Sequence, residues 1–449
     1  MQKTVSLHTL GCKLNYSETS TIAKQFKNHG FEIKEYGERS DVFVLNTCTV
    51  TENADRECRQ IIRSIIRHNP DSFVIVTGCY AQLQADEIAK INGVDLVLGE
   101  NEKFRIFDYA MNFEKKEMSC NVIISKDSGN ISDFGEAFSA DIDSRTRAFL
   151  KIQDGCDYNC SFCTIPLARG VSRSMNPVKV IEDAKKIIDS GYKEIILTGV
   201  NTGDYRYKDE LKHDWRLINI LSELEKLNIE RIRISSIEPN LLTDEIISLY
   251  KSSPKFCNHF HIPLQSGDRE ILRNMKRRYK REYFRELVLK LNEEIKDVGI
   301  GVDVIVGFPG ETDDNFENTK EFLYKLPVMY LHTFSYSERK NTASVNIPEK
   351  VDVKKIKERS RILRNISLSK RFDFYKKHIG SKQKVLFETK KENGCIEGYT
   401  TNYIRVKVKA DKTEDNVIKE VILKEPTANT LPTMLRGVEP LGGDVINVK

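Results

Sequence analysis

The stretch Lys151–Gly170, "KIQDGCDYNCSFCTIPLARG", places Cys156, Cys160 and Cys163 within eight residues. A disulfide would use two of these thiols and leave the third over. A structural zinc site takes four ligands, usually as two separated pairs. Cys160 and Cys163 have the spacing of one such pair, but no matching pair follows downstream. Three thiolates from one loop suit a four-iron cluster, which four cysteines would normally close. With three, one iron is left open to a small molecule. Zinc, or thiols unrelated to one another, is the alternative reading of this loop.

The loop leaves a strand-like run, "AFLKIQ", and is followed by a helical pattern, "PVKVIEDAKKIIDSGY", and a second strand, "KEIILTGV". "RIRISSI", "NHFHIPL", "IGVDVIVGF" and "YLHTFSY" bring the strands to six, with helices between them. This alternation predicts part of a (β/α) barrel, whose active site lies at the carboxyl ends of the strands. The cysteine loop sits at that rim.

Upstream, the first hundred residues predict a smaller parallel α/β sheet. "TVSLHTL", "DVFVLNT" and "SFVIVTG" are short apolar or β-branched runs, and helical stretches follow them, closed by Gly30 and Pro70. Each strand ends at a cysteine: Cys12, Cys48 and Cys79. Ligands of open parallel sheets gather beyond the strands' carboxyl ends, so three thiols distant in sequence are expected at one rim. A single cysteine there would read as a small buried residue. Three in equivalent places read as a second ligand set with one open corner.

Residues 121–147 are polar and aperiodic and read as a linker. From Ser381 the pattern changes to short strands with polar turns, predicting a small β-barrel that either binds nucleic acid or is purely structural. The fold class is therefore α/β. A parallel-sheet domain is expected over 1–120, a linker over 121–147, a partial (β/α)6 barrel over 148–370 and a β-barrel over 371–449. The net charge of +5 is uneven, because residues 351–382 hold eleven Lys or Arg against three Asp or Glu. Such a segment either tracks phosphates or forms the solvated face of a connecting helix. The N-terminus turns polar at once, and no apolar run approaches a membrane span. Ten cysteines without a secretory signal imply a reducing, cytoplasmic setting where thiols act as ligands.

"CDYNCSFC" resembles the CxxxCxxC signature of radical S-adenosylmethionine (SAM) enzymes. "GCKLN", "NTC" and "TGC" resemble the additional cluster domain of the methylthiotransferases among them, and the terminal barrel is similar to their small nucleic-acid-binding TRAM domain. "TLGCKLNYSETS", "FCTIPLARGVSRS", "HFHIPLQSGDREILRNMKRRY" and "VIVGFPGETDDNF" resemble the threonylcarbamoyladenosine tRNA methylthiotransferases. The resemblance implies two [4Fe–4S] clusters, one on Cys156, Cys160 and Cys163 and one on Cys12, Cys48 and Cys79. It implies SAM as both radical source and methyl donor. It also implies an external one-electron reductant, a sulfur source and the tRNA anticodon loop as partners. The implied product is 2-methylthio-N6-threonylcarbamoyladenosine at position 37. Alternatives are an isopentenyladenosine substrate, a ribosomal-protein aspartate, or a non-catalytic iron–sulfur or RNA-binding role.

Expected SAM contacts are Phe162 beside the last ligand, Thr198, Gly199 and Asn201 in "LTGVN", Ser236 and Glu238 in "SSIEP", Gln265, and Ile305, Val306 and Gly307 in "IVGF". For the rim residues a plain strand-end role competes. Arg169 and Arg173 are expected to read the substrate's carboxylate, a charge-assisted contact that discriminates better than an apolar wall. Pairing with SAM or a neighbouring strand is the competing role. Cys58, Cys120, Cys257 and Cys395 have no ligand-like company. His259 and His261 alternate on one strand and, with no carboxylate or third ligand in view, read as strand polar residues.

Overall fold

The computed structural model describes residues 2–110, 112–115, 122–124, 134–139, 146–392, 394–410, 413–425 and 441–445. Most of the expected linker lies outside the described residues, as does Cys120.

Val42–Thr47 is buried at every position, as its unbroken apolar run requires of a parallel strand covered on both faces. It lies inside a six-stranded parallel sheet with Thr4–Thr9, Glu32–Lys34, Phe73–Gly78, Leu96–Leu98 and Val122–Ile124. The spatial order is second, first, third, fourth, fifth, sixth. That order reverses between the first and third strands, the switch point where sheets of this kind place their ligands. Cys12 and Cys48 follow those two strands, and Cys79 follows the fourth.

The barrel strands are Arg147–Lys151, Glu194–Thr198, Arg231–Ile234, His259–Gln265, Gly299–Val306 and Tyr330–Ser335. They form two parallel three-stranded sheets, joined by parallel bridges from Ile232 to Phe256 and from Ser236 to His261. Outward side chains such as Ala148, Leu150, Ile195, Leu197, Ile232 and Ile234 pack under the surrounding helices. The alternate positions face the lumen. Closed barrels fill that space with branched aliphatics; here it receives Arg147, Lys151, Glu194, Arg233, His259, His261, Asp303 and His332.

Three later strands, Lys382–Glu392, Cys395–Thr400 and Arg405–Lys409, join Ile418–Lys424 and Leu441–Val445 in a small closed barrel. Pairing is antiparallel except between the third and fifth. This barrel docks against the starts of the larger barrel's strands. Arg231 donates to the carbonyls of Tyr399 (2.9 Å) and Lys384 (2.8 Å), and Arg147 pairs with Glu388. The basic segment forms one helix, Val353–His378, which runs unbroken across residue 370, where the sequence predicts a boundary. Its Arg359 is buried against Glu311 and pairs with Asp313 (2.7 Å), so part of the segment's charge is internal.

The helix Lys13–Asn28 lies along the first barrel strand, with the Tyr16 ring 5.4 Å from Phe149. Below it sits a buried ionic network. Arg169 bonds Glu18 (3.0 Å) and Asp154 (2.9 Å), Lys151 bonds Glu18 (3.0 Å) and Asp154 (2.7 Å), and Lys103 bonds Glu18 (2.7 Å) and Glu100. Burial alone would raise the Glu18 and Asp154 pKa values, but the surrounding cations outweigh it and hold both below the usual carboxylate range. The three carboxylates also lie close enough to hold a metal ion, but the ammonium and guanidinium groups already neutralise them.

Arg169→Met leaves Glu18 and Asp154 short of a partner in a dry site. Urea denaturation of the metal-free protein at pH 7 should show a loss of about 3–5 kcal/mol. Both carboxyls titrate lower when folded than when unfolded. The network's stabilisation is therefore complete above about pH 4.5 and fades as pH falls further. A loss under about 1 kcal/mol at pH 7 would show that water reaches the network.

Candidate active site

The first triad is held by donors to each sulfur. Tyr158 N–H points at Cys156 Sγ (3.4 Å), Ile165 N–H at Cys163 Sγ (3.5 Å) and Arg277 Nη1 at Cys160 Sγ (3.2 Å). Hydrogen bonds to cluster sulfurs are one of the protein's controls on reduction potential. Arg277 is itself fixed by Glu238, and the Arg278 guanidinium lies 3.8 Å above the Tyr158 ring. Sequence reasoning missed both arginines. Their signal is the "KRRY" that follows the strand ending in Gln265. Burial lifts the Cys156 thiol to about 11 and Cys163 to about 12. Such thiols stay protonated until a metal displaces the proton, which suits a triad made for a cluster.

The second triad is assembled by amide clamps. Asn15 Nδ2 donates to the carbonyls of Leu10 (2.8 Å) and Thr47 (3.0 Å), tying the Cys12 turn to the Cys48 turn. Asn46 Nδ2 donates back to Asn15 O (2.9 Å). Gly78, before Cys79, has φ 94°, and a Cβ there would lie 2.4 Å from Asn46 Oδ1. Only glycine lets the third turn close in. Burial raises Cys48 to about 11 and Cys79 further, whereas Cys12 is exposed. Cys48 lies near both others electrostatically, and among the described residues none of these thiols is in a disulfide.

A cavity of about 210 Å³ opens between the two units. Val50 and Thr51, just past Cys48, form one wall. Phe162, Cys163 and Thr164 form another, and Gln265, Asp303, Ile305 and Phe334 rise from the barrel. Around the same rim Thr198 Oγ1, Ser235 Oγ and both side-chain atoms of Asn201 are buried without a hydrogen-bond partner among the described residues. Buried polar groups are normally satisfied, so these orphans fit a polar ligand such as SAM. Gln153 Oε1 accepts from Asn201 N–H (2.8 Å) and holds the turn through Gly199.

Phe162 packs edge-on to Phe308 at 6.5 Å and faces the cavity. Ser236 is partly buried, and its carbonyl accepts from Thr202 Oγ1 (2.6 Å). Val306 is fully buried in the outer core, and Gly307 lies against Ile356, where a Cβ would meet Cγ1 at 2.3 Å. Neither is among the residues that line the cavity.

Two further expectations are corrected. Arg169 is 1% exposed and committed to Glu18, Asp154 and Asn15 (2.7 Å), so it does not meet a substrate. Arg173 bonds Asp154 (3.1 Å) and the carbonyl of Val171 (3.2 Å), closing the cluster loop's return. His261, expected to lack a carboxylate, sits 2.7 Å from Asp303 Oδ1, and His332 is 3.3 Å from the same oxygen. Burial would raise the Asp303 pKa, but the two imidazoles hold it below the usual range. His259 instead bonds Tyr330 Oη (3.1 Å). Cys58 is buried with its thiol donating to the Cys48 carbonyl (3.6 Å), Cys257 is buried beside Glu194 (3.9 Å), and Cys395 lies on the terminal barrel.

The barrel and its loop define a class: the radical SAM superfamily model matches residues 150–323, and a model described as uncharacterized protein family UPF0004 matches residues 4–99. The solved structure of the radical SAM methyltransferase TsrM from Kitasatospora setae aligns with a TM-score of 0.53. It is 15% identical, covers 75% of each chain, and shows the shared fold. The threonylcarbamoyladenosine tRNA methylthiotransferase MtaB of Bacillus subtilis is 40% identical over 94% of this chain and 93% of its own. That of Aquifex aeolicus is 37% identical over 93% of this chain and all of its own. The chain belongs to the threonylcarbamoyladenosine tRNA methylthiotransferase family.

In metal-free protein at pH 8, iodoacetamide should label Cys12 first and Cys79 and Cys163 last. A thiol with a pKa of about 12 is ionised in only about one molecule in ten thousand. Timed digestion and mass spectrometry read the order, and equal rates at all six cysteines would show that the triads are not buried as described.

Proposed function

We propose that this chain replaces the C2 hydrogen of N6-threonylcarbamoyladenosine 37 in tRNA with a methylthio group. The observation that supports the reading is a cavity lined on one side by Cys163 of the first three-cysteine site and on the other by Val50 and Thr51, just past Cys48 of the second. The chain around them is 35–40% identical over about nine-tenths of its length to enzymes named for that substrate. C2 of adenine is an unactivated carbon that ordinary acid–base chemistry does not reach. With [4Fe–4S] clusters and SAM bound, the cofactors supply the electron, the 5′-deoxyadenosyl radical, the sulfur and the methyl group, given an external reductant and a sulfur source.

The chain's own residues hold and insulate. Cys156, Cys160 and Cys163 hold the first cluster, with Arg277 as counter-cation at Cys160. Cys12, Cys48 and Cys79 hold the second. Thr198, Asn201 and Ser235 offer hydrogen bonds to SAM, while Phe162 and Ile305 keep water from the reacting centre. Gln265, with φ 69° at an irregularity in its strand, turns its amide toward the cavity as a polar contact. The anticodon loop is single-stranded, so its base enters such a cavity at small unstacking cost. The terminal barrel acts as a TRAM-like tRNA-binding unit, aided by the exposed cations of the Val353–His378 helix. Among the described residues no helix is long and apolar enough to cross a membrane.

Nucleosides of tRNA from cells lacking the protein should lose 2-methylthio-N6-threonylcarbamoyladenosine and accumulate its unthiolated precursor, measured by mass spectrometry. Loss of the isopentenyl counterpart instead would overturn the substrate assignment. Anaerobically reconstituted protein should carry about eight irons, and Cys156, Cys160 and Cys163 changed together to Ala should leave about four. An unchanged iron count in that variant would overturn the cluster assignment.

A further inference from the structure

The buried carboxylates of this protein are matched in two different ways. Glu194 lies between two arginines, 2.8 Å from Arg233 and 3.8 Å from Arg231. Glu18, Glu100 and Asp154 surround Lys103, Lys151 and Arg169. Each of these carboxylates meets a cation that keeps its charge at neutral pH. Asp303 does not. Among the described residues its ion-pair partners are two imidazoles only, His261 Nε2 at 2.7 Å and His332 Nδ1 at 3.3 Å, both on Oδ1. Yet its side chain is 16% exposed. It is also the only Asp, Glu, Lys, Arg or His among the residues that line the cavity beside Cys163.

Sheet register brings the three side chains together. Asp303 and His332 are direct partners across the strands Gly299–Val306 and Tyr330–Ser335. His261, on the strand His259–Gln265, is the partner of Gly301, two residues before Asp303 and so on the same face. The alternate residues Ile262, Val302, Val304 and Leu331 pack outward into the core, which turns His261, Asp303 and His332 inward. One ligand atom from each, an imidazole nitrogen or a carboxylate oxygen, lies within 4.8 Å of the other two. Two ligands each about 2.1 Å from an ion, and at right angles to one another, stand about 3 Å apart. The two His–Asp separations, 2.7 Å and 3.3 Å, bracket that spacing. Two imidazoles and a carboxylate, without a thiol, are a donor set for a divalent first-row ion.

We propose that His261 Nε2, His332 Nδ1 and a carboxylate oxygen of Asp303 form a mononuclear metal site, separate from both cysteine triads, that takes Zn²⁺. Each imidazole binds as a neutral ring with its proton on the other nitrogen, so that a lone pair faces the ion. Three protein ligands leave a fourth position open, and because Asp303 lines the cavity that position faces it. The His332 side chain is 46% exposed, which gives the ion an entry path. The ion supplies the lasting positive charge that Asp303 lacks from the protein. It also brings a Lewis acid to the cavity, able to hold a water or a carboxylate oxygen. The competing arrangement is a closed cluster in which both imidazoles donate to Asp303 and no ion enters. The assignment does not depend on which substrate the enzyme modifies.

The test uses the full chain with both clusters reconstituted, so that the triad cysteines are occupied, and cleared of other metals by a chelator that leaves the cluster iron in place. Zn²⁺ is added, loose metal is removed by desalting, and zinc and iron are counted by mass spectrometry. One zinc per chain should remain beside about eight irons. Co²⁺ in place of Zn²⁺, with the clusters oxidised and silent, should give an electron paramagnetic resonance signal coupled to two imidazole nitrogens. His332→Gln should leave coupling to one. His261→Gln, Asp303→Asn and His332→Gln should each weaken zinc binding at least about tenfold, since loss of an outer partner alone costs that much. Competition with a fluorescent chelator reads the affinity, and an unchanged iron count and melting temperature show that each variant is intact. Absence of retained zinc in the unaltered protein would overturn the proposal and leave the closed hydrogen-bonded cluster. One zinc held with unchanged affinity by all three variants, or cobalt without imidazole coupling, would overturn it equally.

Discussion

One buried guanidinium sets the distance between the two cysteine triads. Arg169 lies six residues after Cys163 and reaches Glu18 and Asn15, six and three residues after Cys12. It also bonds Asp154, two residues before Cys156. Both cysteine loops therefore hang from a single side chain that is 1% exposed. Salt bridges of this kind contribute little net stability compared with a well-packed apolar core, but losing one partner is costly. Their use is geometric, because a charged pair in a dry site tolerates one arrangement where an apolar contact tolerates several. The same Asn15 that meets Arg169 clamps the Cys12 and Cys48 turns, so inter-unit distance and second-triad geometry are coupled through one residue. A reaction that brings groups from two sites to one carbon needs that coupling, since ångström errors in placement are expensive.

The second constraint is the polar lumen. A packed aliphatic barrel would leave no room for a ligand, and a polar lumen with unmatched charges would be unstable. The structure resolves this by matching most charges internally and closing the floor with the terminal barrel, whose Tyr399 and Tyr403 stack under Arg147 and Arg233. The terminal barrel is thus part of the larger barrel's wall. Removing it would strip the partners of Arg231 and Arg147 as well as delete any RNA-binding surface it carries, so truncation would confound two functions.

Local patterns made the architecture legible. Strand runs and helix periods placed both sheets, and cysteines at strand ends placed both triads, because local sequence suffices for each of those features. The six barrel strands even carried the lumen's character. "RIRIS", "HFHIP" and "VDVIV" alternate polar and apolar residues where strands covered on both faces should be uniformly apolar. That alternation marks one face as polar and inward. What the sequence did not reveal depends on contacts between distant segments. Asp303 meets His261 across 42 positions, Arg277 meets Cys160 across 117, and Arg169 meets Glu18 across 151. The terminal barrel's last strand, Leu441–Val445, was missed because "LGGDV" carries little strand propensity and is held by its neighbours.

The misreading of Arg169 follows from one rule. A cation beside a cysteine loop is ambiguous in sequence, because the same residue serves a ligand or a buried carboxylate. The fold decides by supplying or withholding a partner. Arg169 and Lys151 each receive Glu18 and Asp154, so their charge is spent on holding the units together. Burying a charge without a partner is unfavourable, so cations at this depth are matched where the fold can match them. Glu18 thus spends its charge on the protein's own cations, and Arg169, Lys151 and Lys103, gathered around it, are not free for a ligand.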